Sequence, residues 1–290
     1  MRSLIFGGRG MLGRAVAEEA GRRGWPTLAL SHAEADVTDA GAVEARVRDS
    51  APEVVFNCAA FTKVDDCETK PDQAFAVNGD AVGTIAAAAR AADAALVQIS
   101  TDYVFDGKAR EPYSEDHPTA PLSVYGKSKL RGEERALEYD GALVVRASWL
   151  FGPGGPNFVL AMLRLIDEGK LPLRVVDDQV GCPTYTPFLA AALCDLAAVK
   201  ARGIVHYRNA EPVTWYQFTG AILSGWDPNL EVVPIPSSEL RRPAPRPAYS
   251  VLAVDRVERL RGRPVERWQP GLSEYLTGLR SGRPGRFDRN

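Results

Sequence analysis

The chain has 290 residues, of which 45% are hydrophobic and 25% are charged, a composition typical of a globular protein with a sizeable apolar core. Its 35 lysines and arginines nearly balance 37 aspartates and glutamates, which argues against binding to nucleic acid or to an anionic membrane surface. No apolar run approaches the roughly 20 residues of a membrane span.

The N-terminus and the cysteines indicate the compartment. The first predicted strand begins so early that it leaves no room for a signal peptide. Cys58, Cys67, Cys182 and Cys194 form no C-x-x-C pair and no zinc-like spacing with histidine. We therefore expect a cytoplasmic protein with reduced thiols and no metal site.

A glycine-rich turn follows the first predicted strand. Residues 4–6 are apolar, and residues 7–13 have the spacing G-x-x-G-x-x-G before a helical pattern at residues 14–23. Such a turn lets backbone N–H groups and a helix N-terminus approach a pyrophosphate. The spacing differs from the G-x-G-x-x-G of dinucleotide-binding proteins, so this interpretation needs a second signal.

The end of the second predicted strand, residues 27–30, bears on the choice of cofactor. An acidic residue there would bind the ribose 2′-hydroxyl of NAD, whereas this chain has Ser31 and His32. Arg9, in the glycine-rich turn, could instead pair with a 2′-phosphate. We expect NADPH, with NADH as the alternative if Arg9 is only a solvated side chain.

Two further strands are predicted to end at the same edge of a sheet. Residues 54–57 form an apolar strand typical of buried parallel sheets, and the small residues after it would let a cofactor come close. A single helix is predicted at residues 72–92. Residues 96–100 form the next strand, which delivers the hydroxyl of Thr101 to the edge where open α/β sheets bind ligands.

Tyr125 and Lys129 provide the second signal. On a helix, side chains four residues apart share one face, with Cβ atoms about 5 to 6 Å apart. An ammonium there would lower the pKa of the phenol and make Tyr125 a candidate acid or base. A solvated Tyr and Lys is the alternative for this pair alone. Together with Thr101 and the glycine-rich turn, the pair favours an enzyme that uses a cofactor.

The motifs as a set resemble the dTDP-4-dehydrorhamnose reductase family of the extended short-chain dehydrogenase/reductase superfamily. The resemblance covers most of the chain and includes STDYVF (100–105), VYGKSK (124–129), RASWLFG (146–152), NFV (157–159), DQVGCPT (178–184) and RPAYS (246–250).

The resemblance implies an α/β fold with a Rossmann-like, doubly wound parallel sheet and a smaller C-terminal substrate-binding lobe. The expected NADP-binding domain is residues 1–150, with 184–207 returning to it. The lobe would then comprise residues 151–183 and 208–290. Residues 241–247 are expected to be a loop, and residues 280–290 a loose polar tail.

The implied reaction is the NADPH-dependent reduction of a sugar C4 ketone, with dTDP-4-dehydro-L-rhamnose converted to dTDP-L-rhamnose. Tyr125 would donate the proton, Thr101 would hydrogen-bond the ketone oxygen, and Lys129 would hold down the pKa of Tyr125 while binding the nicotinamide ribose. Asn78 matches a residue that supports the catalytic lysine in the superfamily, although a structural asparagine is an equal alternative. Lys127 faces elsewhere and is expected to be solvated.

The expected contacts fall into two groups. The cofactor contacts are Gly7, Arg9, Gly10, Met11, Leu12, Gly13, Ser31, Asp36, Val37, Ala59, Ala60, Phe61, Tyr125 and Lys129. The substrate contacts are Thr101, Asp102, Tyr103 and Trp149. Asp36 is interpreted either as an adenine contact or as a cap of the helix near residues 40–49. Trp149 is either a core residue or a face on which the sugar stacks. Arg241, Arg242 and Arg246 are candidates for binding the nucleotide diphosphate.

Two other functions are open. A nucleotide-sugar epimerase or dehydratase would keep the fold, but dehydratases of the superfamily have an Asp-Glu pair after the threonine, and Tyr103 stands where the Glu would be. A non-catalytic NADP-binding regulatory subunit is the other alternative. The expected partner is a nucleotide sugar, and a homodimer is the assembly to be tested.

Overall fold

The structure is a computed structural model that describes residues 1–282. Its strands are β1 (Ser3–Phe6), β2 (Thr27–Leu30), β3 (Val54–Asn57), β4 (Ala95–Thr101), β5 (Ala142–Ala147), β6 (Leu150–Phe151), β7 (Leu173–Val176), β8 (Val180–Gly181), β9 (Thr184–Tyr185), β10 (Gly203–Tyr207), β11 (Val213–Thr214) and β12 (Val232–Ile235). Its α-helices are α1 (Met11–Arg22), α2 (Ala40–Ser50), α3 (Val64–Thr69), α4 (Pro71–Phe75), α5 (Ala81–Ala91), α6 (Val124–Leu137), α7 (Phe158–Asp167), α8 (Thr186–Ala198), α9 (Trp215–Trp226), α10 (Asp255–Arg261) and α11 (Trp268–Ser281).

Within residues 1–282, six parallel strands form the central sheet in the order β10-β5-β4-β3-β1-β2. From β1 the chain moves outward to β2, and from β3 it moves in the opposite direction through β4 and β5. The order therefore reverses between β1 and β3, which is where an open α/β sheet leaves a crevice for a ligand. The predicted Rossmann-like, doubly wound sheet is confirmed.

The central strands are apolar throughout because helices cover both faces of the sheet. On one face, Ile5 and Phe56 pack with Val16 of α1 and Leu193 of α8. On the other face, alternate strand residues such as Leu4, Phe6 and Val55 belong to a second core that includes helices α2 and α5. Successive side chains of a strand point to opposite faces, so each strand contributes to both cores.

A smaller structural unit follows β5. Its core contains Phe151, Leu163, Tyr185, Phe218 and Trp268, which come from the segments around β6, β9 and helices α7, α9 and α11. The main chain returns to the sheet through α8, which packs on α1, and β10, which pairs in parallel with β5. The exact lobe boundaries remain a prediction, and part of the 208–290 segment lies outside the described residues.

Several predicted elements differ from the structure. The single helix predicted at 72–92 is divided into α4, a π-helical turn at Ala76–Asp80 and α5. The turn brings the Asn78 carbonyl against α6 so closely that a Cβ on Gly132 would lie 2.1 Å from that oxygen. The predicted loose tail at 280–290 is helical to Ser281, and the rest of it from residue 283 lies outside the described residues.

The cysteines and the helices bear on the predicted environment. Cys58, Cys67, Cys182 and Cys194 are all free thiols. Among the described residues, none of the helices combines the length and apolar character needed to cross a membrane.

Candidate active site

The glycine-rich turn closes tightly against the loop that follows β3. Gly7 has a φ of +73°, and a Cβ at this position would lie 2.6 Å from the Ala59 nitrogen. A Cβ on Gly13 would lie 2.2 Å from the Gly7 carbonyl oxygen. Glycine is therefore required at both positions by the close approach of backbone to backbone.

Helix α1 begins in this turn without a side-chain cap. Gly10 occupies the N-cap position, and no side chain accepts a hydrogen bond from the first turn of the helix. The N–H groups at a helix start carry a partial positive charge and lack partners within the helix. Met11 and Leu12 thus begin a helix whose N-terminus fits a pyrophosphate, beside Ala59, Ala60 and the β1/β3 switch point.

A carboxylate that the sequence interpretation missed lies at the end of β2. Glu34 Oε2 accepts hydrogen bonds from the Ser31 nitrogen at 2.8 Å and the Ser31 hydroxyl at 2.6 Å. These bonds lower the pKa of Glu34, and the nearby charge of Arg9 contributes to the shift. The end of β2 therefore carries a negative charge, that of the Glu34 carboxylate bound to Ser31. Arg9, in the glycine-rich turn, is exposed. In the sequence, an acidic residue three positions after Ser31 could have indicated this carboxylate.

Asp36 does not cap α2. Its Oδ1 accepts hydrogen bonds from the Thr38 nitrogen at 2.9 Å and the Thr38 hydroxyl at 2.8 Å, which forms a local turn. The cap is Asp39, whose Oδ1 accepts from the Ala42 nitrogen at 3.0 Å. The interpretation of Asp36 as the helix cap is wrong. Val37 next to it is buried in the apolar core, so its side chain packs against the protein.

Thr101, Tyr125 and Lys129 come together at the carboxyl end of β4. Helix α6 begins just before Tyr125 because the Ser123 hydroxyl accepts a hydrogen bond from the Gly126 nitrogen at 3.1 Å. The Thr101 hydroxyl is close enough to the Tyr125 phenol to favour its charged form and so to act against the rise in its pKa. Lys129 Nζ donates to the Ile99 carbonyl at 2.6 Å. One helix and one strand end thus hold the whole Thr-Tyr-Lys arrangement.

Burial dominates the electrostatics of the pair on α6. It raises the pKa of Tyr125 well above the ordinary value of 10.0, and the hydrogen bond from Thr101 opposes that rise only in part. It also lowers the pKa of Lys129 to about 8, against the opposing charge of Glu133. The expected lowering of the Tyr125 pKa by Lys129 is therefore not found in this structure, because desolvation outweighs the charge of an ammonium that is bound to Ile99.

A buried ion pair supports α6 one turn beyond Lys129. Arg146 Nη2 lies 2.6 Å from Glu133 Oε2 and Arg146 Nε lies 2.9 Å from Glu133 Oε1. The Ser100 hydroxyl also donates to Glu133. The side chains of Arg146 and Glu133 are only 3% and 1% exposed. Glu133 follows Lys129 by four residues, so the helical spacing could have identified it.

Asn78 secures the loop after β3 rather than Lys129. Its Oδ1 accepts from the Phe61 nitrogen at 2.8 Å, and its Nδ2 donates to the Phe61 carbonyl and to the Ser128 hydroxyl, both at 3.0 Å. Asn78 is 1% exposed. The alternative of a structural asparagine is supported, because these bonds attach the Ala60–Phe61 segment to α6.

Asp102 and Tyr103 continue directly from Thr101 in a short 3-10 turn. The Tyr103 ring meets the Tyr125 ring edge to face, with centroids 5.7 Å apart and planes at 81°. Asp102 is 2% exposed, and its Oδ1 accepts the Thr101 hydroxyl at 3.0 Å. Tyr103 and Asp102 are therefore neighbours of the Thr-Tyr-Lys arrangement, and Asp102 is packed behind it.

Trp149 lies after β5 and stacks on a residue that the sequence interpretation did not single out. Its ring is parallel to that of Trp215, with centroids 3.4 Å apart and planes at 6°. Its φ of +48° is uncommon for a bulky side chain. Both rings are partly exposed. In the pairing of β5 with β4, Ala147 lies beside Thr101, and Trp149 follows Ala147 by two residues.

Two of the three candidate cations for a diphosphate are already paired. Arg246 Nη1 and Nη2 lie 3.1 Å and 3.0 Å from the two carboxylate oxygens of Asp65, and Arg242 lies 3.5 Å away. The bonds from Arg246 lower the pKa of Asp65. Arg241 is exposed.

Lys127, which was predicted to be solvated, is exposed. Among residues 1–282 there is no group of three or more His, Cys, Asp or Glu side chains placed to hold a metal ion.

An uncapped helix start at the β1/β3 switch point and a Thr-Tyr-Lys set at the end of β4 together define a Rossmann-type oxidoreductase of the short-chain dehydrogenase/reductase class. Comparison with known proteins gives the narrower family. The chain belongs to the family described as the RmlD substrate binding domain, whose model matches residues 1–281.

Individual relatives agree with this assignment. The chain is similar to a dTDP-4-dehydrorhamnose reductase of Streptomyces griseus, at 44% identity over 98% of this chain and 96% of the relative. A crystal structure of a dTDP-4-dehydrorhamnose reductase from Clostridium acetobutylicum superposes with a TM-score of 0.91 at 37% identity, covering 97% of this chain and 100% of that one. A crystal structure of a dTDP-4-dehydrorhamnose reductase from Bacillus anthracis in complex with NADP has a TM-score of 0.90 at 34% identity. It covers 96% of this chain and 99% of that one.

Proposed function

We propose that this protein is a dTDP-4-dehydrorhamnose reductase, which reduces the C4 ketone of dTDP-4-dehydro-L-rhamnose to the alcohol of dTDP-L-rhamnose at the expense of NADPH. The observation that carries the proposal is the placement of Tyr125 beside the Thr101 hydroxyl at the end of β4, with Lys129 one turn along α6. The names of the relatives supply the substrate, which the site geometry alone does not define.

The glycine-rich turn and the start of α1 would hold the cofactor. The uncapped N–H groups at residues 10–13 would bind its pyrophosphate, and the small residues after β3, Ala59 and Ala60, would leave room for the adjoining ribose. When bound, NADPH supplies the hydride that reduces the ketone. Support for NADPH comes from the relative crystallised with NADP. Glu34 beside Arg9 keeps NADH as an alternative donor.

Tyr125 would donate the proton. Its raised pKa keeps the phenol protonated near neutral pH, which is the form that a proton donor needs. Thr101 would add a second hydrogen bond to the oxygen on which negative charge develops. Lys129, held by the Ile99 carbonyl, would place a cation at the same strand end, where it would bind the nicotinamide ribose.

The sugar would lie between the ends of β4 and β5. Tyr103 packs against the Tyr125 ring, and Trp149 is supported from behind by Trp215. An aromatic face fixed in this way suits the apolar side of a deoxysugar. Asp102 lies behind Thr101 and is 2% exposed, so its part in binding the sugar stays a proposal.

The alternatives lack comparable support. A dehydratase would need a base after Thr101 and Asp102, and this chain has Tyr103 there, with a pKa raised by burial far above the range of a general base. A purely regulatory subunit would have no need for a Thr-Tyr-Lys set with buried, hydrogen-bonded groups. The cytoplasmic location and the homodimer remain predictions.

NADPH oxidation with dTDP-4-dehydro-L-rhamnose tests the proposal. Tyr125→Phe should lower kcat by roughly 10² to 10⁴ while NADPH affinity stays nearly unchanged, because only the proton donor is removed. Tyr103→Phe is the matched control, since it removes a neighbouring phenol hydroxyl and keeps the ring contact, and its kcat should stay near that of the wild type. No NADPH consumption by the wild type would refute the reductase, and wild-type turnover by Tyr125→Phe would refute the role of Tyr125.

A further inference from the structure

A segment near the C-terminus, residues 244–250, is fastened to helix α3 by Asp65. We call this segment the strap. Asp65 Oδ1 accepts hydrogen bonds from the Ala244 nitrogen at 3.2 Å and from Arg246 Nη1 at 3.1 Å, and Asp65 Oδ2 accepts from Arg246 Nη2 at 3.0 Å. The side chains of Arg246 and Asp65 are 17% and 31% exposed. One carboxylate therefore binds both the main chain and a side chain of the strap through charge-assisted hydrogen bonds.

The other two anchors of the strap are made by backbone groups. The Tyr249 nitrogen donates to the Gly107 carbonyl at 3.2 Å, and a Cβ on Gly107 would lie 2.6 Å from the strap backbone. Val180 of β8 donates to the Ala248 carbonyl and accepts from the Ser250 nitrogen, both at 2.8 Å. The strap therefore runs from α3, past the loop that follows β4, to β8.

The elements at both ends of the strap border the proposed sugar site. At the α3 end, Glu68 Oε1 accepts a hydrogen bond at 2.8 Å from the nitrogen of Val124, the residue before Tyr125. At the β8 end, a Cβ on Gly181 would lie only 2.4 Å from the Trp149 indole, so this strand packs against the ring. The strap thus connects the helix that supports the start of α6 with the strand that supports Trp149.

The first half of the strap depends on Asp65. Pro245 and Pro247 have no N–H group, so the backbone here has few donors with which to form anchors of its own. Arg242 lies 3.5 Å from Asp65 and its side chain is 52% exposed, so it adds little to the anchor. Removing the Asp65 charge should therefore release the first half of the strap, while the two backbone anchors still hold the second half.

We propose that Asp65 is a positioning residue for the nucleotide sugar, which acts by fastening the strap along one side of the proposed sugar site. The inference rests on the proposed function, because it concerns the substrate of that reaction. A strap that is fastened beforehand needs no further ordering, whereas a released strap has to be ordered when the substrate binds, at a cost in affinity. Arg246 then serves the strap, and its guanidinium is not a ligand of the diphosphate.

Steady-state kinetics of the full-length protein with NADPH and dTDP-4-dehydro-L-rhamnose test the inference. Asp65→Asn keeps the size of the side chain and an acceptor for the Ala244 nitrogen but removes the charge that pairs with Arg246. The KM for the keto sugar nucleotide should rise roughly tenfold, while kcat stays within about twofold and the Kd for NADPH is unchanged. Asp66→Asn is the matched control on α3, because the Asp66 carboxylate is exposed and lies 3.8 Å from Lys63, and its KM should equal that of the wild type.

Arg246→Gln distinguishes an anchor from a ligand. If the guanidinium acts only through Asp65, Arg246→Gln and the double variant should raise KM by the same factor as Asp65→Asn alone. If the guanidinium instead binds the diphosphate, Asp65→Asn would free it and KM would fall, a result that would overturn the inference. So would factors that multiply in the double variant, or a Kd for NADPH that rises together with KM, since the latter indicates a general loss of structure.

Limited proteolysis with trypsin reports on the strap without turnover. Trypsin does not cut before proline, and among the arginines of residues 241–247 only Arg241 is followed by another residue type. Cleavage after Arg241 should be several-fold faster in Asp65→Asn than in the wild type, and saturating dTDP-4-dehydro-L-rhamnose should slow it. Equal rates in the two proteins would overturn the inference. A wild type that consumes no NADPH with the keto sugar nucleotide would overturn the proposed function and this inference with it, whereas an active wild type with an unaltered KM in Asp65→Asn would overturn the inference alone.

Discussion

Replacing Glu133 by Gln should unfold the protein at a much lower temperature, because the substitution leaves Arg146 charged and buried. The two side chains are 1% and 3% exposed, and their contact is bidentate at 2.6 and 2.9 Å. Breaking a buried pair by removing one partner costs about 3 to 5 kcal/mol. For a chain of this size, each kcal/mol shifts Tm by about 2 to 4 °C, which gives a fall of roughly 6 to 20 °C.

The assay is thermal unfolding of a double-mutant cycle. Glu133→Leu combined with Arg146→Met removes both charges and fills the space with apolar groups, so it should melt well above either single variant. The exposed Arg164–Glu168 pair on α7 is the matched control, and Glu168→Gln should leave Tm unchanged. A Glu133→Gln variant that melts within about 2 °C of the wild type would refute the reasoning, since an uncompensated buried guanidinium cannot cost so little.

The same variant reports on Lys129. The charge of Glu133 opposes the effect of burial on the Lys129 ammonium, whose pKa is lowered to about 8. Neutralising Glu133 should lower that pKa further, so the pH profile of NADPH oxidation should shift to lower pH in the surviving folded protein. An unshifted profile would show that the carboxylate serves Arg146 alone.

Three further outcomes are expected. Arg9→Ala should weaken NADPH binding by about 1.5 to 3 kcal/mol and leave NADH binding unchanged, whereas Glu34→Gln should strengthen NADPH binding. Fluorescence titrations that show equal changes in affinity for both cofactors would contradict this expectation. Trp149→Ala should raise KM roughly tenfold to a hundredfold, with Trp215→Ala acting in the same direction by removing its support, and a collapsed Tm with unchanged KM would place Trp149 in the core. Lys129→Met should abolish activity but raise Tm at pH 7. Because the native Lys129 pKa of about 8 lies below the ordinary 10.5, the stability of the wild type should rise with pH between these two values. A Lys129→Met variant whose stability still shows that rise would contradict the assignment.

The sequence was most informative where structure depends on neighbours in the chain. The strands at residues 27–30 and 54–57 were predicted with the bounds observed, because an apolar run between turn residues is a local signal. The glycine-rich turn and the spacing of Tyr125 and Lys129 are local in the same sense. Their positions could therefore be inferred, while the roles assigned to them stay predictions.

What could not be predicted depends on contacts between distant segments. The pairing of Arg246 with Asp65 joins residues 181 positions apart, and the stacking of Trp149 on Trp215 requires the segment after β5 to meet the first residue of α9. The predicted direction of the Tyr125 pKa shift was wrong, because the sequence spacing indicates a nearby cation but not how deeply the phenol is buried. Even Asp36 and Asp39 were confused, since both side chains are competent caps and only the backbone at the helix start distinguishes them.

The late arrival of β10 has a consequence for synthesis of the chain. Until residues 203–207 leave the ribosome, the outer edge of β5 has no partner strand, and its Leu143, Val144 and Val145 offer unpaired backbone groups to other chains. At about 5 to 20 residues per second, the stretch between the two strands takes roughly 3 to 11 s to translate. A fragment ending after residue 150 would keep that edge open permanently, so we expect the nucleotide-binding half to aggregate when it is expressed alone, and a nascent-chain chaperone to matter most during this interval.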